Sequence, residues 1–227
     1  GGSLGRTEAT GYGVALMALE IAKVKGLDIG RTTIAIQGFG NVGSHAAQYL
    51  EEAGARIIAV QDKDGTIYNE NGITDMKAMR EFFRENKTLE GYQGAKLLSR
   101  ESFFPIAADI MIPCALENQI TKDNADIIKA PIICEGANGP VTYEADKILR
   151  DKGVFIVPDI LANAGGVIVS YFEWVQNISR FYWDLDEIQT KQKKTMVRAF
   201  KNLFQIMAEH GVDMRKAAYI KSIGNIA

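Results

Sequence analysis

Six residues, Gly38–Phe39–Gly40–Asn41–Val42–Gly43, carry the clearest chemical signal in the chain. Their glycines follow the spacing G-x-G-x-x-G. They come directly after the β-branched run Thr33–Ile34–Ala35–Ile36–Gln37 and open a helical pattern over Val42–Ala53 that ends at Gly54. In that setting each glycine has a physical task. Gly38 permits the sharp turn from strand into helix, Gly40 lets the backbone approach a pyrophosphate with no side chain between, and Gly43 lets the helix pack close to the strand. The free N–H groups and partial positive charge at the helix start then attract the phosphates. Such a turn calls for an acid about 20 residues later, at the end of the next strand, to meet the ribose hydroxyls. Asp62 follows Gly43 by 19 residues, just after the strand-like Arg56–Gln61. An aspartate there repels a 2′-phosphate and favours NAD, while the cation of Lys63 beside it could accommodate one and leaves NADP open.

The elements needed to position this turn are also legible. Val14, Met17, Ala18, Ile21 and Val24 recur at helical spacing over Thr7–Lys25, with Gly26 as a stop. Beyond the first strand–helix–strand unit, the pattern reads as a helix over Thr74–Glu85, a buried strand over Asp109–Pro113, a short helix over Thr121–Ile128, a strand over Pro131–Cys134, a helix over Thr142–Lys152 and a strand over Val154–Val157. Short apolar strands alternating with helices predict an α/β fold of Rossmann type: a doubly wound, mostly parallel sheet with helices on both faces. Asp184 and Glu187 resemble a capping box. Behind them Met196, Ala199, Phe200, Leu203, Phe204 and Met207 mark one long helix with an apolar stripe, and Asp213–Ala227 reads as a further helix ending without a cap. Residues 1–227 thus read as one dinucleotide-binding domain with C-terminal helices.

Composition narrows the classes of function. The 227 residues carry 26 basic and 28 acidic side chains, which gives no electrostatic footprint for nucleic acid or for an anionic membrane. No apolar run is long enough to span a bilayer and no signal peptide is visible, so the cytoplasm is the default location. Cys114 and Cys134 each follow an apolar run, the usual place for a buried free thiol. The two histidines, His45 and His210, have no metal-ligand spacing. The dense aromatic cluster Tyr171, Phe172, Trp174, Phe181, Tyr182 and Trp183 suggests part core, part interface. The opening Gly1–Gly2–Ser3–Leu4–Gly5, with no methionine before Met17, reads as linker and as a piece of a longer protein.

Taken together, several segments resemble the cofactor domain of glutamate dehydrogenases. They are Gly1–Gly13, the turn Gly38–Gly43, Pro113–Cys114–Ala115, Glu135–Gly136–Ala137–Asn138–Gly139–Pro140, Asn163–Ala164–Gly165–Gly166–Val167 and Val169–Ser170–Tyr171–Phe172–Glu173–Trp174. The resemblance implies that Thr10 and Asn41 hold the nicotinamide carboxamide, with help from Arg6. It implies that Ala115 lines the cofactor groove, that Asn138 meets the nicotinamide ribose, and that Val167 and Ser170 line the pocket for the substrate side chain. In the parent enzyme it implies reversible oxidative deamination of L-glutamate to 2-oxoglutarate and ammonia, and a homohexamer. The catalytic lysine and aspartate would come from an N-terminal substrate domain that this sequence lacks. Residues 1–13 then form a hinge segment, 184–227 return toward that domain, and the chain alone, monomer or dimer, binds cofactor without turnover and holds no catalytic residue. Two alternatives stay open: a leucine- or phenylalanine-type dehydrogenase domain, which Ser170 argues against, and a non-catalytic NAD-binding module.

Overall fold

The structure is a computed structural model that describes residues 2–224; Gly1 and residues 225–227, the end of the segment read as a last helix, lie outside the described residues. In chain order the elements are α1 (Ala9–Val24), β1 (Thr33–Gln37), α2 (Asn41–Glu52), β2 (Arg56–Gln61), β3 (Thr66–Ile73), α3 (Met76–Asn86), β4 (Lys96–Leu98), β5 (Ile110–Pro113), β6 (Ile132–Cys134), α4 (Tyr143–Asp151), β7 (Phe155–Val157), α5 (Asp159–Ala162), α6 (Gly165–Ser179), α7 (Leu185–His210) and α8 (Met214–Ile223). The strands form one sheet in the order β4-β3-β2-β1-β5-β6-β7. β2, β1, β5, β6 and β7 run parallel, while β3 and β4 add an antiparallel edge.

Alternation of side chains across the strands builds two cores. Ile34 and Ile36 of β1, Ile110 and Ile112 of β5, and Ile132 and Cys134 of β6 face one layer, together with Met17 and Ile21 of α1, Leu50 of α2 and Phe200 of α7. Ala35, Met111 and Ile133 face the other, with Ala145 and Leu149 of α4 and with Phe103. Each fully buried aliphatic chain of this size contributes about 1.5–3 kcal/mol. In β2 a register shift between Ile57 and Ala59 breaks the alternation, so that Ile58 and Ala59 both join the second layer.

The helix ends follow local chemistry. Asp184 and Glu187 form the reciprocal capping box at the start of α7, and Gly211 closes that helix in the left-handed conformation. Asp213 caps α8 by accepting from Lys216 N. Where a short helix is predicted over Thr121–Ile128, the structure has only a single 3₁₀ turn, Ala125–Ile127. The cause lies in Asn124: its Oδ1 accepts from Thr121 N and its Nδ2 donates to Gln119 O, a local alternative to helical pairing.

From β1 the chain winds outward one way to β2, and from β5 it winds the other way to β6 and β7. The crevice between the carboxyl ends of β1 and β5 is therefore the topological switch point, where open α/β sheets place their ligands. The turns after Gln37, Pro113 and Cys134 all converge on it.

Candidate functional site

The turn after β1 is built at the limit of packing. Gly38 has φ +87°, and a Cβ there would lie 2.8 Å from both N and Cα of Ala115, so the turns after β1 and β5 touch only because residue 38 is glycine. A Cβ at Gly43 would collide with the Gly38 carbonyl oxygen and sit 3.3 Å from Ile36 Cγ2, which fixes α2 on the strand. Gly40, the N-cap of α2, is the opposite case. A Cβ there would meet nothing within 4 Å, and no side chain caps the helix, which leaves its first N–H groups without a side-chain acceptor. That cradle fits a phosphate-bearing cofactor.

Two cavities flank the turn. The larger, about 760 Å³, is lined by Arg6, Thr10, Val42, Cys114, Ala115, Leu116, Glu117, Gly136, Ala137, Asn138, Asn163, Gly166, Val167 and Ser170. It brings together seven of the residues singled out from the sequence: Arg6, Thr10, Val42, Ala115, Asn138, Val167 and Ser170. Thr10 stands in the first turn of α1 against the start of α6, where a Cβ on Gly166 would collide with its hydroxyl oxygen. Asn138 accepts through Oδ1 from Asn163 Nδ2 at 2.7 Å. Val167 is 69% exposed, and the Ser170 hydroxyl donates to Gly166 O of its own helix at 3.0 Å. Ionisable groups on this wall are few: Arg6, Glu117 and Cys114. Burial pushes the Cys114 thiol up to about 12, so it is no nucleophile at neutral pH.

The smaller cavity, about 460 Å³, is lined by Thr7, Phe39, Gly40, Asn41, Ser44 and His45 on one side and by Lys77, Arg80, Glu81, Phe83 and Arg84 of α3 on the other. Asn41 lines this cavity rather than the one with Thr10, and its Nδ2 donates to Thr7 O at 2.7 Å, tying the glycine turn to the segment ahead of α1. The Phe39 side chain is buried edge-on against Phe83, at 5.7 Å between ring centres, so this residue offers a ligand its backbone alone. His45 is held by Asn41 O at 2.7 Å, and burial lowers its pKa, leaving the ring neutral and structural.

Asp62 is held by the backbone around it. It is 8% exposed; Oδ1 accepts from the amides of Asp64 and Gly65 and Oδ2 accepts from Leu89 N at 2.6 Å. Three of the roughly four acceptor positions of a carboxylate are thereby taken by the β2–β3 turn and by the chain after α3. Lys63 is paired with Asp64 at 2.7 Å. Neither Asp62 nor Lys63 lines the two cavities. Among the described residues no His, Cys, Asp or Glu cluster could hold a metal, and no helix is long and apolar enough to cross a membrane.

The family model for Glutamate/Leucine/Phenylalanine/Valine dehydrogenase matches residues 1–227. The chain belongs to this dehydrogenase family. It is 48% identical to the NAD-specific glutamate dehydrogenase of Clostridioides difficile over 232 aligned positions, covering 100% of this chain and 55% of that protein. Among solved structures it resembles the glutamate dehydrogenase of Peptoniphilus asaccharolyticus (TM-score 0.87, 41% identity, 99% of this chain and 53% of that one). It also resembles the hetero-hexameric glutamate dehydrogenase of Thermus thermophilus in its Leu-bound form (TM-score 0.89, 31% identity, 96% and 51%). The chain therefore spans about half the length of the relatives it matches.

Within this family domain several wall residues are not among those singled out from the sequence. Asn163 and Gly166 fall inside segments recognised as family-like but given no role. Their signal was available in the pair Gly165–Gly166, which lets α6 start against Ala9 and Thr10 of α1. Lys77, Arg80 and Arg84 escaped because a cationic stripe on one helix face usually means solvent; only the fold sets it opposite Gly40.

Proposed function

We propose that this chain is the cofactor-binding domain of an NAD-dependent glutamate dehydrogenase. The observation that carries the proposal is the cavity at the carboxyl ends of β1, β5 and β6: it joins the switch point to the start of α6, with Gly40 open beside it. The N–H groups at the start of α2 hold the pyrophosphate. Arg6 and Thr10 from the hinge side, and Asn138 across from them, orient the nicotinamide and its ribose, while Ala115 closes the floor. Asn41 joins them by turning its amide from Thr7 O toward the carboxamide. Asp62 keeps one acceptor position for a ribose hydroxyl. When bound, NAD supplies the hydride acceptor for oxidation of an amino acid.

Val167 and Ser170 border the substrate pocket. For Ser170 to donate to the distal carboxylate of L-glutamate, its hydroxyl must rotate away from Gly166 O. In the complete enzyme, which we take to be a homohexamer of the cytoplasm, the groups that activate water and move the proton belong to a second, N-terminal domain. The ionisable wall of this cavity, Arg6, Glu117 and an inert Cys114, supports that division of labour. Both thiols are unpaired, Cys134 buried and Cys114 half-buried on the cavity wall, in keeping with a reducing compartment. Preference for NAD over NADP rests on Asp62 and on the neutralisation of Lys63 by Asp64, together with the NAD-specific relative.

Titration of the chain with NADH and NADPH, followed by nicotinamide fluorescence, tests the cofactor reading. NADH saturates a single site and NADPH binds more weakly; tighter NADPH binding overturns the preference, and absence of both overturns the site. L-glutamate with NAD gives no NADH absorbance from the chain alone, and a glutamate-dependent rise refutes the assignment of proton transfer to another domain.

A further inference from the structure

One buried charge network touches the wall of the large cavity from behind. Glu135 directly follows β6 and its side chain is fully buried. Arg215 of α8 donates from Nη2 to both Glu135 oxygens, at 2.6 and 2.7 Å, and from Nη1 to Asp159 Oδ1 at 3.0 Å. Asp159 donates its backbone N–H to Glu135 Oε2 at 2.7 Å and accepts Gly139 N through Oδ2 at 2.8 Å. One guanidinium thus clamps the base of the loop 135–139 to the start of α5 in the segment 158–163. The far ends of these two segments meet in the bond from Asn163 to Asn138. Gly136, Ala137, Asn138 and Asn163 line the cavity, whereas Arg215, Glu135 and Asp159 do not.

We propose that Arg215 is a positioning residue: by holding Glu135 and Asp159 together it sets the nicotinamide-ribose half of the cofactor site and leaves the phosphate-turn half unaffected. The proposal rests on the reading of the cavity as a cofactor site. Its physical basis is the fork of the guanidinium, which serves two carboxylates at once; an ammonium is a point charge and holds one well. Without a cation at this place nothing offsets the burial that already raises the Glu135 pKa, so Glu135 takes up a proton, the fork that joined it to Asp159 is gone, and the N–H of Gly139 loses its fixed acceptor. The phosphate turn has no direct contact with this network: Gly136 and Ala137 donate to Pro113 O at the end of β5, Ala115 two residues on meets Gly38, and the close neighbours of Gly38 and Gly43 include no residue of α8.

The test compares two ligands on the 227-residue chain. NADH spans the whole site, while ADP carries adenosine and both phosphates but neither nicotinamide nor its ribose. Arg215→Met weakens NADH binding about tenfold, a typical coupling between linked sites, and leaves the ADP dissociation constant within about twofold. Arg215→Lys falls between wild type and Arg215→Met. Combining Arg215→Met with Glu135→Gln replaces the unpaired buried carboxyl with a neutral amide, so the thermal midpoint recovers while NADH affinity does not. A purely structural role gives the other pattern: both ligands weaken in parallel, and the double variant restores both. That result, or unchanged NADH binding in Arg215→Met, overturns the proposal. Should Arg215→Met fail to fold, Arg215→Lys and the double variant carry the same comparison. Failure of the wild type to bind ADP instead sinks the cofactor reading itself.

Discussion

Replacing Gly40 with alanine separates folding from binding. At φ −73° and ψ −160° the residue has an ordinary backbone conformation, and the added methyl meets no protein atom within 4 Å. Two small effects oppose each other. Alanine is a poorer N-cap than glycine by roughly 0.5 kcal/mol, and it lowers the entropy of the unfolded chain by a similar amount, about 0.4–1 kcal/mol. The thermal midpoint of Gly40→Ala therefore stays within about 2–3 °C of wild type. The methyl occupies the space that a phosphate oxygen needs to reach the N–H groups of α2. Loss of one charge-assisted hydrogen bond, about 1.5–3 kcal/mol, weakens NADH binding about 10- to 150-fold. Gly43→Ala gives the reverse order of effects. Its methyl collides with the Gly38 carbonyl, an overpacking that costs about 1–3 kcal/mol, and the midpoint drops by about 2–12 °C for a chain of this length. Differential scanning calorimetry and NADH fluorescence titration read the two quantities independently. The reasoning is refuted if Gly40→Ala binds NADH as tightly as wild type, or if it melts as low as Gly43→Ala.

Further measurements address other groups. Burial holds both thiols far from ionisation, Cys114 at about 12 and Cys134 well above its ordinary value. A thiol reagent at mildly alkaline pH therefore titrates neither in the native protein and both after unfolding; one fast-reacting thiol in the native state contradicts this. For His45, burial lowers the pKa below 6.5. The folded state then resists protonation, so the contribution of His45 is complete above about pH 6.5 and is lost as pH falls through that value. Glu135 works in the opposite sense, because burial raises its pKa to about 7 against the pull of Arg215, and its proton favours the folded state as pH falls. Comparing urea midpoints of wild type and His45→Asn at pH 7.5 and 5.5 cancels the Glu135 contribution. Wild type loses more stability than the variant on acidification, and equal losses refute the assignment.

The parallel half of the fold was written plainly in the sequence. Ile34 to Ile36, Ile110 to Ile112 and Ile132 to Ile133 are buried on both faces, so they form continuous apolar runs between glycine and polar punctuation. The antiparallel edge was hidden for the converse reason. The middle of β3, Asn69–Glu70–Asn71, is polar throughout and half-buried to exposed, and β4 is three residues long. Neither offers a period to count. In the site, the glycine spacing announced the tight turn from β1 into α2 because its reasons are local. The orientation of Asp62 depends on Leu89, 27 residues away, and the pairing of Glu135 with Arg215 spans 80. Contacts of that range leave no mark on spacing. The aromatic cluster divides along the same line: Phe172 and Trp183 pack edge-on in the core beside Ile188, while Tyr171, Trp174, Phe181 and Tyr182 stay more than half exposed.

The seams around α1 have a consequence for how this cavity can be reshaped. Gly11 lies against His45, Gly165 against Ala9, Gly166 against Thr10, and Gly136 against Cys114, each with no room for one more carbon. At those four places the scaffold is already saturated, so any enlargement there moves a wall. Freedom to alter ligand preference is confined to side chains that project into the void, Leu116, Val167 and Ser170 foremost. A library built on these three positions explores new specificities while the architecture stays still; one built on the glycines mostly explores misfolding.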